Sequence, residues 1–140
     1  MGVICPCGVK VNAMKRCHEV KFNGIKGTII GHLIYRADVC VTKLASSTLS
    51  LEFIDKETPN EFSFLFTANT ITSVTCKNEG QNCCIYVKGT GKIGSTEYPF
   101  KAIFKDLGEQ QIVQCFVIQG FFTQNGAVSI DQGSIDALGC

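Results

Sequence analysis

Residues 97–122 read EYPFKAIFKDLGEQQIVQCFVIQGFF, and their periodicity decides the fold class. Tyr98, Phe100, Ala102 and Phe104 fall on one side of an extended chain, with Pro99, Lys101 and Lys105 on the other. That period of two is the signature of a half-buried strand. The polar run KDLGEQQ is turn chemistry. The second half sets Ile112, Phe116 and Ile118 against Val113, Cys115 and Val117, so it is apolar on nearly both faces and reads as a central strand.

The same grammar extends outward. Leu49, Leu51 and Phe53 alternate with Ser50 and Glu52, and Phe62, Phe64 and Phe66 share a face. HEVKF, GTIIGHLIYRA, TITSVTCK, CCIYVKG and AVSI are further strand candidates. FNGIKG, DKETPNE, KNEGQN, GTGKIGST and QNGA separate them as turns, and SIDAL has room for a single helical turn. Nearly ten short strands at this spacing predict an all-β chain, an antiparallel β-sandwich or jelly-roll-like flattened barrel. Three regions are expected: a cysteine-bearing connector arm over 1–16, the β domain over 17–130, and a tail over 131–140.

Composition narrows the function. The chain has 140 residues, is 45% hydrophobic and 18% charged, and carries a net charge of +1. This is globular composition. The near-neutral balance argues against a nucleic-acid backbone binder and removes repulsion between copies. No run approaches the ~20 apolar residues of a membrane span. Pro6, Gly8, Lys10, Asn12, Lys15 and Arg16 interrupt the opening residues, so no classical secretory signal is expected there.

No catalytic residue is assigned and an enzyme is not expected. His18 and His32 are the two histidines, and His32 sits in an apolar strand without a nucleophile motif. GTGKIG joins hairpin arms and opens no helix, so its glycines read as turn residues, not a phosphate cradle. Cys5-Pro-Cys7 has no second matching pair, so no metal or cofactor is assigned.

The nine cysteines carry the strongest signal. Cys76 and Cys83 flank KNEGQN and are candidates for an intra-chain disulfide across a hairpin. Cys83 and Cys84 are adjacent in a strand and must face opposite ways, one to the core and one to the surface. Cys40 and Cys115 lie in apolar runs and read as buried thiols. Cys5, Cys7, Cys17, Cys84 or Cys83, and Cys140 are candidates for disulfides between subunits, because an odd count leaves at least one cysteine free or paired between chains. Partners are then expected to be copies of the same chain, joined head to tail.

Residues 30–118 resemble the all-β domain that follows choice-of-anchor regions in secreted bacterial proteins. The matching positions are Gly31, Leu33, Tyr35, Asp55, Thr58, Ile71, Ser73, Gly89, Gly91, Ile93, Tyr98, Phe100, Ala102, Asp106, Gly108 and Glu109. That resemblance implies a β-sandwich at a cell surface without established catalysis. The cysteine-bearing ends resemble, in design, the endospore appendage (Ena) subunits of spore-forming bacteria. Those are small β-sandwiches whose N-terminal connectors form disulfides with neighbouring subunits. Together the two resemblances imply a structural subunit of a disulfide-crosslinked extracellular fibre on a spore or cell surface. The alternative is a surface-binding module for a glycan or protein with internal disulfides only.

Overall fold

The computed structural model describes residues 5–58, 61–80 and 82–139. Its strands in chain order are β1 (Gly8–Phe22), β2 (Ile29–Cys40), β3 (Thr48–Asp55), β4 (Phe64–Glu79), β5 (Asn82–Ile93), β6 (Thr96–Asp106), β7 (Gln111–Ile118), β8 (Phe122–Gln124), β9 (Val128–Ile130) and β10 (Ile135–Leu138). A short 3-10 segment, Val41–Ser46, separates β2 from β3. The expectation of an antiparallel all-β chain holds.

Closure is the structural surprise. Strands β1 to β8 each pair with their successor, and β8 returns to β1 through Val20–Gln124, Lys21–Thr123 and Phe22–Phe122. The result is an eight-stranded antiparallel barrel. Hairpins join neighbours throughout the ring, whereas a jelly roll needs connections that cross between sheets. β10 extends the sheet along the first half of β1, and β9 pairs with the start of β7.

The predicted connector arm is therefore corrected over residues 8–16. Val9, Val11 and Ala13 point into the barrel, and this half of β1 is held between β2 and β10. A bulge between Lys15 and His18 then switches the phase, so the next inward residues are Val20 and Phe22. Such an insertion hides a strand from any search for unbroken alternation. A second phase shift opposite Ile103/Phe104 turns Val113 inward with Phe116 and Ile118, against the predicted grouping with Cys115. SIDAL is strand β10 rather than a helical turn.

Side chains fill the interior. Tyr35, Phe53, Phe66, Phe104, Phe116, Leu33 and Leu51 are all fully buried. Eight strands give a barrel just wide enough for such a core. The Tyr35 hydroxyl donates to Gln124 Oε1 at 2.7 Å, and Gln124 Nε2 donates to the Val113 and Gly126 carbonyls at 2.8 and 2.9 Å. Burial raises the Tyr35 phenol above its ordinary range, so it remains a donor. Gln111 Oε1 accepts from the Ile135 amide at 2.8 Å, which ties β10 to β7. Two buried glutamines thus bond across the region where β1, β7, β8 and β10 meet.

Gly89 and Gly91 are corrected too: they lie inside β5, and the turn falls at Gly94, φ +61°. A Cβ on Gly91 would sit 2.4 Å from the Phe66 ring, and one on Gly89 would sit 3.0 Å from Phe100 and 2.0 Å from the Thr70 carbonyl. These glycines let large rings lie flat on the strand. Gly91→Ala is expected to destabilise the fold by about 1–3 kcal/mol through overpacking, read as a lower denaturation midpoint. An unchanged midpoint would contradict this packing.

Candidate functional site

Register sorts the chemistry to opposite ends of the barrel. One end holds the disulfides. β1 pairs Gly8 with Cys40, which brings Cys5 onto Cys40, Cα–Cα 5.9 Å. Gly8 has no Cβ, and one placed there would meet the Cys5 sulfur at 2.8 Å. Cys7 bonds Cys76 on β4, Cα–Cα 5.8 Å. β1 and β4 are not neighbours in the sheet, so this bond braces the barrel end across its width. Closing loops of 35 and 69 residues contributes about 4 kcal/mol each in the chain-entropy account.

Several cysteine expectations change. Cys76 does not pair with Cys83, because Cys76 lies opposite Ile85 and Cys83 opposite Asn78. Cys83 is disulfide-bonded elsewhere. Cys40 is in a disulfide and is not a buried thiol. Cys5 and Cys7, two of the inter-subunit candidates, both find partners in their own barrel. Cys83 and Cys84 are both buried, the latter on the side away from the main core. Burial raises the Cys84 thiol, Glu79 pushes it the same way, and Lys105 opposes both. Cys115 is free and half-buried, its thiol raised by burial against the pull of Lys101. Cys140 lies outside the described residues.

Cys17 is the one exposed free thiol among the described residues. It occupies the β1 bulge at φ +53°, and its amide donates to His32 Nδ1 at 3.2 Å. Burial, then Lys56 and Arg16, hold the His32 imidazolium below its ordinary value, so the ring is neutral at pH 7. His18 Nε2 contacts the Asn125 carbonyl at 3.1 Å. Among the described residues no group of three or more His, Cys, Asp or Glu is arranged to hold a metal ion.

The opposite end is aromatic. The end of β1 delivers Phe22, the starts of β4 and β8 deliver Phe64 and Phe122, the β7–β8 turn delivers Phe121, and the loop before β4 adds Phe62. Ring centroids of Phe22 lie 5.2 Å from Phe62, 5.6 Å from Phe121 and 6.0 Å from Phe64, and Phe64 lies 5.1 Å from Phe121. Between them opens a cleft of about 330 Å³, also lined by Asn23, Ile25, Glu61, Ser63 and Ile93. Phe62, Phe64 and Phe121 are half-buried and Ile25 is 44% exposed, so the aromatic cluster reaches solvent. In the sequence, period-two spacing places Phe62 and Phe64 on one face with Phe66. The convergence of the cluster depends on strand ends and turns meeting around the closed ring, which periodicity within any one strand does not reveal.

One loop forms a wall of this cleft, and Asp55 holds it. Asp55 is 2% exposed. Its Oδ1 accepts from the Glu57 and Thr58 amides at 2.9 and 3.0 Å, and its Oδ2 from the Thr58 hydroxyl and, at 3.2 Å, the Phe62 amide. Its own amide donates to Ser63 Oγ at 2.9 Å. Burial by itself would raise this carboxyl, but the donors from Thr58, Glu57 and Phe62 outweigh it and hold the group below its ordinary value.

Compared with known proteins, the chain matches no family model, no curated protein and no solved structure.

A carboxyl whose folded value is depressed contributes stability that is present above its unfolded value, near pH 4, and lost as pH falls through the folded value. Residues 56–58 and 61–63, which Asp55 holds, are therefore expected to loosen below about pH 4, read as amide-exchange protection lost there before the barrel strands. Asp55→Ala is expected to cost about 2 kcal/mol at pH 7 and to abolish the local acid transition. A transition that persists in the variant would refute the assignment.

Proposed function

We propose that this protein is a non-enzymatic, disulfide-stapled β-barrel binding module of an oxidising, extracytoplasmic setting, with the aromatic end as its binding face. The observation that carries the reading is the asymmetry of the barrel. One end is braced by covalent bonds, and the other leaves a cluster of phenylalanines open to solvent around a cleft. Solvent-exposed aromatic surface costs stability that burial would recover, so a cleft of this kind on a closed barrel fits a ligand site. Cys5–Cys40 and Cys7–Cys76 support an oxidising setting, since such bonds persist where thiols are not kept reduced. The resemblance of residues 30–118 to domains of secreted bacterial proteins points the same way.

The test is chemical-shift mapping with a small neutral aromatic probe, benzyl alcohol. The reading expects saturable shifts confined to Phe22, Phe62, Phe64, Phe121 and their neighbours. Shifts that do not saturate, or that centre on another part of the barrel, would overturn it.

A second reading, a self-assembling structural subunit of an extracellular fibre or appendage, is favoured by one observation, the exposed free Cys17. On this reading the protein joins copies of itself through that thiol, with Met14 and Ile34, cross-strand partners nearby, offering an apolar contact. It expects reductant-sensitive oligomers on a non-reducing gel that disappear in Cys17→Ser. A single monomer band without reductant would exclude it.

A further inference from the structure

The outer face of β4, β5, β6 and β7 segregates charge. Its outward residues fall into cross-strand rows. Ser73, Lys88, Lys101 and Val117 form one row, and Lys77, Cys84, Lys105 and Ile112 form another. Between them runs a row of Thr75, Tyr86, Ile103 and Cys115. Four residues of strand separate the two lysine rows, a distance of about 13 Å. Lys77, Lys88 and Lys101 are exposed, while Lys105, Tyr86, Ile103 and Cys115 are half-buried.

None of these positions holds a carboxylate, although the chain as a whole balances 13 basic against 12 acidic side chains. The outward acids of the same strands stand beyond the rows. Glu97 lies opposite Lys92, and Glu79 lies opposite Asn82, beside Cys84. Lys88 faces Lys101 directly, a like-charge pair that costs a sheet stability. Among the described residues Lys88, Lys101 and Lys105 make no ion pair. An anion laid across the pair would relieve its repulsion.

Shape narrows the kind of anion. Lysine side chains reach further from a sheet than isoleucine or cysteine, so the middle row floors a shallow trough with cationic walls. Lys77 leans into it, its ammonium 5.1 Å from the centroid of the Tyr86 ring. The trough crosses four strands, a length of about 14 Å. A flat bilayer would meet the ammonium groups and not the floor. An extended peptide with acids toward both walls would turn its backbone N–H and C=O groups onto apolar side chains, where they go unsatisfied. A pyranose ring lays C–H groups on such a floor and carries its acid groups at its edges, toward the walls.

We propose that this outer face binds an acidic polysaccharide, with sugar rings laid over Tyr86 and Ile103 and acid groups held by Lys77, Lys88, Lys101 and Lys105. The site is separate from the cleft at the aromatic end and does not depend on it.

The experiment titrates the oxidised full chain with tetragalacturonate and with its neutral methyl ester, following shifts by NMR. The acid is expected to shift Tyr86, Lys88, Lys101 and Ile103. It should bind about tenfold more tightly than the ester at low salt, and the difference should shrink as salt is raised. Lys88→Gln combined with Lys101→Gln should weaken the acid about three- to tenfold and leave the ester unchanged. The same variant should melt no lower than the parent, because the like-charge pair is gone. Tyr86→Thr should weaken acid and ester alike, and its melting curve establishes that it is folded. Equal affinity for acid and ester, binding of neither, or shifts centred on the aromatic end would overturn the proposal. Tetraglutamate binding at the same residues as tightly as tetragalacturonate would also overturn it, and would assign the face to an acidic peptide.

Discussion

The pairing of β8 with the end of β1 is the constraint on which the rest depends. Three residue pairs, Val20–Gln124, Lys21–Thr123 and Phe22–Phe122, turn an open meander into a ring. An open sheet would leave two long edges with unpaired amides, ready to accept a strand from a neighbour. Closure removes them from the ring and leaves the short β9 and β10 outside it. Side chains reinforce the join: Gln124 and Gln111 supply buried hydrogen bonds where the ladder is interrupted. A buried amide with partners is stabilising, and the same amide without them would be costly.

Closure also separates the two kinds of chemistry in the chain. A filled eight-stranded interior leaves no lumen for a ligand, so binding surface can arise only at the ends or on the outside. At one end the sulfur atoms of Cys7 and Cys76 sit against the core and brace strands that share no hydrogen bonds. At the other end no disulfide is found among the described residues, and cohesion comes from ring–ring contacts and from the Asp55 clamp on Glu57, Thr58 and Phe62. The rigid end can stabilise the barrel while the aromatic end retains exposed apolar surface.

The period of two was legible across β3, β5, β6 and much of β2, because inward side chains there alternate without interruption. β1 was not legible as one strand, since the bulge at Arg16 and Cys17 inverts its phase midway. Gly89 and Gly91 were misread as turn residues because glycine marks a turn and a ring-covered strand equally well, and only the positions of Phe66 and Phe100 distinguish them. The cysteine pattern was read locally, which favoured Cys76 with Cys83. Register places those two out of step and gives Cys76 to a residue 69 positions away. The aromatic end shows the same limit. Phe62, Phe64 and Phe121 were visible as apolar residues, but their meeting with Phe22 is a product of closure.

The fibre expectation depended on a free arm carrying Cys5 and Cys7, and the barrel gives both thiols partners within the chain. The central claim is that the barrel closes on itself with these bonds internal. Its most direct test is mass-spectrometric mapping of disulfide-linked peptides from the oxidised protein, prepared as an equal mixture of isotopically labelled and unlabelled chains. The account predicts Cys5–Cys40 and Cys7–Cys76 peptides in which both halves carry the same label. Mixed-label Cys5 or Cys7 peptides would show bonds between chains and contradict it.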